Sequence, residues 1–258
     1  GLRLGINGSA MNYRVINREW DDLRLGGQSQ AGGLEASYPI LRSRPANLYA
    51  LGFYNYSQFE NRSDGNITNR YRTSVLSAGL SGNLIDGFSG GGTTTGSLIA
   101  SAGEIILNGS PLQSFNEETI NTGGSFTKFR YSLNRLQNIS QSLTGYVSVS
   151  GQFANKNMDS SEQMFMGGPY AVRAYAPGQG AASQGNLLTA ELRLRLPQQF
   201  VFTAFYDLAN VQSLKYSDYP GNAGANTYLL QGVGASLTWN APKNILLRAT
   251  WAHRTGGL

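Results

Sequence analysis

The chain has 258 residues, a formal net charge of +5 and a charged fraction of only 14%. No run of about 18 or more apolar residues occurs, which excludes a helical membrane protein, and the absence of cysteine excludes disulfide scaffolds and thiolate metal sites. Basic residues form no cluster of the kind that nucleic-acid binding requires, while 33 glycines and many tyrosines and phenylalanines favour an all-β chain.

Twelve β-strands are predicted in chain order, and no helix. Many are about 10–14 residues long, which suits tilted membrane strands better than soluble strands of about 5–6 residues. Short turns at 197–199 and 240–243 alternate with long links at 167–185 and 211–226, as in outer-membrane barrels. When the predicted strands are taken to alternate in direction, the long link 108–123 lies at the end of the sheet that carries the short turns. This indicates that one middle strand is misassigned. The predicted strands are 2–14, 27–41, 47–59, 70–84, 94–107, 124–138, 142–154, 160–166, 186–197, 200–210, 227–239 and 244–254.

Most of these strands alternate apolar and polar residues with a period of two. In strand 142–154, for example, Val147 and Phe153 lie opposite Ser148 and Gln152. Charged residues inside strands fall on the polar face, which suits a water-filled lumen. The pattern favours a transmembrane antiparallel β-barrel, and a soluble β-sandwich or β-helix is the competing class because it produces the same alternation. Aromatic residues near strand ends are candidates for the girdles at the membrane surfaces: Tyr38, Tyr54, Tyr56, Tyr146 and Trp239.

The long link 167–185 carries a single arginine, Arg173. Links of this length without secondary structure are usually functional or disordered. In the strand predicted at 200–210, the alternation turns Phe205 and Asp207 towards the interior. A carboxylate confined in a narrow lumen is costly without a cationic partner, and a guanidinium can bind it with two parallel hydrogen bonds. Arg173 is therefore a candidate partner of Asp207.

Glu191 also faces inward by the same alternation and is a second candidate partner. The residues leave another interpretation open, in which Arg173 is a solvated loop residue and Asp207 an isolated lumen charge. In that case Glu191 would pair with Arg193 or Arg248 on the strands.

The stretch "NMDSSEQMFMGGPYAVRAY" (157–175) resembles the signature of TpsB-type outer-membrane transporters of two-partner secretion. They form part of a wider superfamily that carries periplasmic POTRA domains. In that family an Asp-Ser-Ser-Glu-Gln run leads into Gly-Gly-Pro and then into a Val-Arg-Gly-Tyr/Phe tetrad. Later stretches, including "FYDLAN" (205–210), are similar to the family's next strands, so the resemblance covers residues 124–254. The matching residues here are Asp159, Ser160, Ser161, Glu162, Gln163, Gly167, Gly168, Pro169, Val172, Arg173, Ala174 and Tyr175.

This resemblance implies a barrel of 16 strands, about 12 of which lie in this chain. Residues 1–258 would then be the C-terminal part of the barrel, with the periplasmic domains, the first strands and the last strand outside it. The long loop 167–185 would fold into the barrel with Gly167, Gly168 and Pro169 as its hinge.

Within the tetrad, the resemblance implies that Arg173 meets Asp207 on the inner wall, and Tyr175 is expected to pack beside Phe205. Two alanines stand where the family has glycine, at Ala174 and Ala209. Because a non-glycine residue is strained at positive φ, we expect an ordinary backbone conformation at Ala174.

In function, the resemblance implies a pore in the bacterial outer membrane that secretes an unfolded partner exoprotein of the adhesin, haemolysin or toxin class. Outer-membrane lipid would surround it. No catalysis, metal or cofactor is expected, and neither nucleic acid nor nucleotide is an expected partner, since the glycine-rich stretch 87–97 lacks the lysine and following helix of a phosphate-binding loop. The alternatives are an outer-membrane assembly insertase of the same superfamily, an autotransporter translocator and a soluble polysaccharide-binding β-protein.

Overall fold

A computed structural model describes residues 1–16, 23–107, 109–219, 222 and 224–256. Eleven strands form one antiparallel sheet, and two short strands form a second. The elements are β1 (Arg3–Arg14), β2 (Gly26–Arg42), β3 (Ala46–Ser63), β4 (Asn66–Asp86), β5 (Gly92–Ile106), α1 (Gln113–Glu118), β6 (Gly124–Asn138), β7 (Leu143–Ala154), β8 (Met164–Phe165), β9 (Ala181–Ala182), β10 (Gln184–Arg195), β11 (Phe200–Gln212), β12 (Thr227–Ala241) and β13 (Ile245–Arg254).

The large sheet is an up-and-down meander in which each strand pairs with the next one along the chain, except that β7 pairs directly with β10. All pairings are antiparallel, and only two of them contain an irregularity, between Pro39 and Leu41 and between Asn61 and Arg62. Strands β1 and β13 are the two edges of the sheet. The prediction of an all-β, antiparallel chain is confirmed.

The prediction of a wall strand at 160–166 is wrong. Only Met164–Phe165 is extended there, and it pairs with Ala181–Ala182 inside the link between β7 and β10. The alternating residues of 160–166 resemble a strand, but they belong to a link that runs from 155 to 183, longer than the predicted 167–185. Once 160–166 is no longer counted as a wall strand, all the long links lie at one end of the sheet. The link 108–123 is then on the same side as the others, as an outer-membrane barrel requires.

The sequence also did not predict the six-residue helix α1, in the link between β5 and β6. Among the described residues, none of the helices has the length and apolar character needed to span a bilayer.

The two faces of the sheet differ in polarity, as expected for strands that cross a membrane. One face, here called the outer face, carries large apolar side chains that are exposed. The other, the inner face, carries polar side chains and is covered in part by the 155–183 link. Exposed apolar residues of the outer face include Leu76, Leu80, Leu98, Leu133, Val147, Leu192, Phe202 and Leu237. Apolar residues facing outward with polar residues inward is the arrangement of a transmembrane barrel.

Hydroxyl and amide side chains link neighbouring strands across the inner face. Ser77 and Ser101 are 2.8 Å apart, and Ser97 and Ser132 are 2.9 Å apart. Four of the five aromatic residues proposed for the girdles lie on the outer face by register. Tyr146 does not, because it pairs with Glu191 in the register and its hydroxyl donates to Asn134 on the inner face.

A charge at the centre of the outer face is expected to destabilise the protein. Leu98 is 50% exposed and pairs with Leu80. Leu98→Arg should cost roughly 2–4 kcal/mol in folding free energy, the usual penalty for arginine near the bilayer midplane. Urea titration of the full-length protein folded into lipid vesicles measures it.

The matched control is Ser97→Arg, which places the same charge one residue away on the polar inner face. A penalty for Ser97→Arg equal to that for Leu98→Arg would contradict the assignment of the two faces.

Candidate functional site

The 155–183 link packs on the inner face through an apolar cluster. Its members come from the link and from β10, β11 and β12, so the link is anchored to the C-terminal strands. The buried members are Met166, Ala171, Val172, Tyr175, Ala182, Leu187, Ala209, Val211 and Leu230. Ala209, one of the two residues that replace a family glycine, is fully buried in this cluster.

A tight turn at the predicted hinge presents Arg173 to the wall. Gly168 has φ +120°, a conformation that favours glycine. Ala171 N donates to Gly168 O at 3.1 Å, and Val172 forms a bridge with Gly167. Pro169 is exposed at the turn. The chain therefore reverses at Gly167–Gly168–Pro169, immediately before the tetrad.

Arg173 forms a fork-to-fork ion pair with Asp207 of β11. Its Nε and Nη2 donate to the two carboxylate oxygens, each at 2.8 Å. The backbone N–H of Arg173 also donates to Oδ2, at 3.1 Å. Asp207 is 0% exposed, so three donors from one residue satisfy a carboxylate that has lost its water.

Glu191 of β10 connects this pair to a second arginine. Arg173 Nη1 donates to Glu191 Oε1 at 2.7 Å, and Arg193 Nε donates to Glu191 Oε2 at 2.7 Å. Two of the three partners considered for Glu191 from the sequence, Arg173 and Arg193, therefore contact it. Arg248, the third, donates to Thr238 Oγ1 at 3.1 Å.

Two aromatic rings support the arginines from the wall. The guanidinium carbon of Arg173 lies 3.4 Å from the centre of the Phe205 ring, and that of Arg193 lies 4.6 Å from the centre of the Tyr146 ring. Phe205 is adjacent to Glu191 in the β10–β11 register. Such cation–π contacts hold the guanidinium planes and leave their edges free for carboxylates.

The charges in this network favour its ionised form. Burial lowers the pKa of Arg173, but the hydrogen bonds and charges of Asp207 and Glu191 outweigh burial, so that its pKa is raised above the ordinary value. Arg173 therefore stays charged at any physiological pH. Two carboxylates and two arginines balance in formal charge, which reduces the cost of confining them.

The last two residues of the tetrad contact β12 and β13. Tyr175 is buried in the apolar cluster rather than being placed beside Phe205, its hydroxyl donates to Gly256 O at 3.0 Å, and Arg254 stacks over its ring at 4.5 Å. Arg254 Nε also donates to Ala174 O at 3.1 Å.

Ala174 has the ordinary backbone conformation that was expected, since it is not among the residues with positive φ. Its methyl group lies against Gly232, where an added Cβ would come within 2.8 Å of it. Gly232 is the β12 neighbour of Asp207, so the absence of a side chain there leaves room for the loop beside the ion pair.

A second ion pair, which the sequence did not predict, holds the root of the link. Lys128 of β6 has a side chain only 5% exposed and pairs with Glu162 of the Asp-Ser-Ser-Glu-Gln run. Arg130 Nη2 donates to Gln163 O at 3.1 Å, and Gln152 Nε2 donates to Glu162 O at 3.2 Å. The sequence did not reveal this pairing because Glu162 lies in the stretch 160–166, which alternation predicts as a wall strand.

The residues predicted for the site meet on the inner wall. In the part of the chain that the structure describes, no group of three or more His, Asp or Glu residues is placed to hold a metal ion. The structure brings Val172, Arg173, Ala174, Tyr175, Phe205, Glu191 and Asp207 together on the inner wall, with Gly167, Gly168 and Pro169 at the turn that precedes them.

Comparison with known proteins gives consistent matches. A model of the family described as haemolysin secretion/activation protein ShlB/FhaC/HecB matches residues 2–237. The heme/hemopexin transporter protein HuxB of Haemophilus influenzae is 26% identical over 243 residues, covering 92% of this chain and 42% of that protein. The chain thus spans less than half the length of these curated relatives.

Among solved structures, CdiB from Escherichia coli aligns with a TM-score of 0.69 at 17% identity, covering 98% of this chain and 50% of that chain. CdiB from Acinetobacter baumannii aligns with a TM-score of 0.65 at 15% identity, covering 98% and 48%. At these identities the likeness is one of fold.

The seating of the loop can be tested at Gly232. Gly232→Ala should push the loop off the wall because the new methyl group would overlap that of Ala174. The double variant Ala174→Gly/Gly232→Ala should restore seating, since the remaining neighbours of the new methyl lie at 3.4 and 3.7 Å. Tryptic cleavage after Arg173 in the folded protein, followed by mass spectrometry, should be several-fold faster in the single variant and normal in the double.

Gly52→Ala is the matched control, because an added Cβ at that strand glycine meets nothing within 4 Å. Unchanged protection of Arg173 in Gly232→Ala would mean that the loop does not rest on this part of the wall.

Proposed function

The chain belongs to the haemolysin secretion/activation protein family ShlB/FhaC/HecB, and from this membership we propose that it forms much of an outer-membrane pore that secretes an unfolded partner exoprotein. It is a β-barrel protein of the Gram-negative outer membrane and a member of the two-partner secretion transporters. The soluble alternative is thereby removed. The family match favours secretion over the insertase and autotransporter alternatives.

The observation that carries the proposal is the inward loop locked to a polar inner wall. A hydrophilic wall suits a chain that crosses unfolded, because exposed backbone groups can exchange hydrogen bonds with water and with serine, asparagine and glutamine side chains. We propose that residues 167–185 with their tetrad form the lock, that Arg173–Asp207 is its central contact and that Glu191 steadies it.

The family is one of secretion proteins rather than of enzymes. We propose further that the chain performs no catalysis, uses neither cofactor nor nucleotide and has the exoprotein and outer-membrane lipid as its partners. The exported substrate belongs to the adhesin, haemolysin or toxin class in this proposal.

The two sheet edges, β1 and β13, bear on how the barrel closes. Unpaired backbone groups in hydrocarbon cost several kcal/mol each, so a sheet in a bilayer needs both edges paired. We propose that residues 1–258 are the C-terminal part of a barrel of 16 strands, whose remaining strands pair with β1 and β13, and that periplasmic domains complete the protein.

Export by four versions of the full-length protein tests the lock: wild type, Arg173→Ala, Asp207→Ala and the double variant. Breaking one partner of a buried ion pair costs roughly 3–5 kcal/mol, so each single variant should export about tenfold less or worse. The double variant should do no worse than the singles because both changes break one interaction. The amount of exoprotein in the medium is the readout.

Arg195→Ala is the control, since it removes an arginine from the inner face of the same β10 strand outside the network. Heat-modifiable migration in gels verifies that each variant reaches the membrane folded. If the losses of export in the two single variants add up in the double variant, or if Arg173→Ala exports normally, the proposal that the Arg173–Asp207 pair locks the loop is wrong.

A further inference from the structure

The outer face of β4 has charged ends on either side of an apolar band. The band from Leu76 to Leu84 runs about 26 Å along the strand, or roughly 20 Å along the bilayer normal at a tilt of ~40°. This is close to the ~25 Å height of an outer-membrane apolar band. From the long-link end, the outer-face residues are Arg70, Arg72, Ser74, Leu76, Ala78, Leu80, Gly82, Leu84 and Asp86.

Arg70 and Arg72 therefore lie just beyond the apolar band, at the end of the sheet that carries the long links. Long links mark the extracellular side of an outer-membrane barrel. The tyrosines Tyr54 and Tyr56 of β3 lie at the boundary, next to Leu76 and Ser74 in the register. This places the two arginines at the level of the lipid headgroups of the outer leaflet.

A third arginine and a shared carboxylate complete the cluster. Glu60 accepts hydrogen bonds from Arg62 Nε at 2.8 Å and from Arg70 Nη2 at 2.6 Å, and both arginine side chains are about half exposed, at 49% and 57%. Glu60 fixes these guanidinium groups while leaving further N–H donors open. Among the described residues Arg72 has no ion-pair partner.

The balance of charge on this patch stays positive. Three arginines face outward, against Glu60 and against Glu104 on the neighbouring strand β5. A cavity of about 290 Å³ opens beside them, lined in part by Gln28, Gln30 and Gln58. Gln28 Nε2 donates to Glu60 at 3.2 Å and Gln58 Nε2 donates to Tyr56 Oη at 2.9 Å, so each of these amides keeps one further N–H donor. Guanidinium forks and amides around one space are the donors that a phosphate group selects.

We propose that this cavity binds the phosphate of an anionic lipid headgroup in the outer leaflet. Arg70 and Arg72 contact the phosphate, the glutamines contact its neighbouring hydroxyls, and the acyl chains lie along the apolar band below. The cavity is lined mainly by outer-face residues, and the apolar band begins at Leu76, two outer-face positions beyond Arg72. A lipid meets both halves of this surface, whereas an exported protein or a free phosphate meets only one. The inference rests on the outer-membrane location and not on secretion.

The test uses the full-length protein in detergent and native mass spectrometry, with the diphosphorylated glycolipid lipid A as probe. Wild type should bind lipid A at least about fivefold more than its dephosphorylated form. Arg72→Gln, which breaks no ion pair among the described residues, should lower the bound fraction several-fold, and Arg70→Gln/Arg72→Gln should lower it further. Arg44→Gln, an equal loss of charge in the exposed link at the opposite rim, should bind as wild type does.

Several results would overturn the assignment. Equal binding of dephosphorylated lipid A, or unchanged binding by both patch variants, removes the phosphate contact. Displacement of lipid A by millimolar inorganic phosphate would assign the cavity to a free anion. Reduced export with unchanged lipid binding would assign the patch to the exported protein instead. The result of the Arg173→Ala export experiment, whether export is lost or normal, does not bear on this inference.

Discussion

Asp207 is a carboxylate without any contact with solvent, and the arrangement of the inner wall follows from satisfying it. A single buried carboxylate is unfavourable unless cationic and hydrogen-bonding partners replace its water. Arg173 supplies its fork and its backbone N–H at once, so one residue of the loop provides three donors. That geometry is available only if the backbone of the loop touches the wall, which requires the turn at Gly168 and the empty space over Gly232.

The contact between Arg173 and Asp207 also explains the charges and the aromatic and apolar side chains of the residues around it. Glu191 is needed because an arginine with only one carboxylate would leave part of its fork unpaired, and Arg193 then balances Glu191. Phe205 provides a flat surface beneath the guanidinium, and the apolar cluster around Val172 excludes water from one side. The Lys128–Glu162 pair fixes the link where it enters, so that its tip is not free to sample the whole inner face.

Much of this arrangement could be predicted from the sequence, because strand alternation carries definite information. A period of two in β10 and β11 places Glu191, Phe205 and Asp207 on one face, which the structure shows as the inner face. Alternation failed at 160–166, where a short polar-apolar sequence mimics a wall strand, and the misassignment concealed Glu162 as a partner of Lys128. The girdle prediction for Tyr146 rested on its position near a strand end, although alternation with Ser148 and Gln152 already turns Tyr146 towards the polar face. The contact between Ala174 and Gly232 depends on two segments that alternation treats separately.

A loop contact made of charges behaves differently from one made of apolar groups. Substituting one partner leaves the other charged, buried and without water, and that penalty exceeds the net stabilisation from the intact pair. Withdrawal of the whole loop is another matter, because water would then enter the space and hydrate Asp207, Glu191 and Arg173 together. For the charged groups alone, withdrawal of the loop therefore costs less than substitution of one partner. The charged network thus fixes the geometry of the seated loop, while burial of Met166, Val172 and Tyr175 in the apolar cluster opposes its withdrawal, because that surface would meet water when the loop moved.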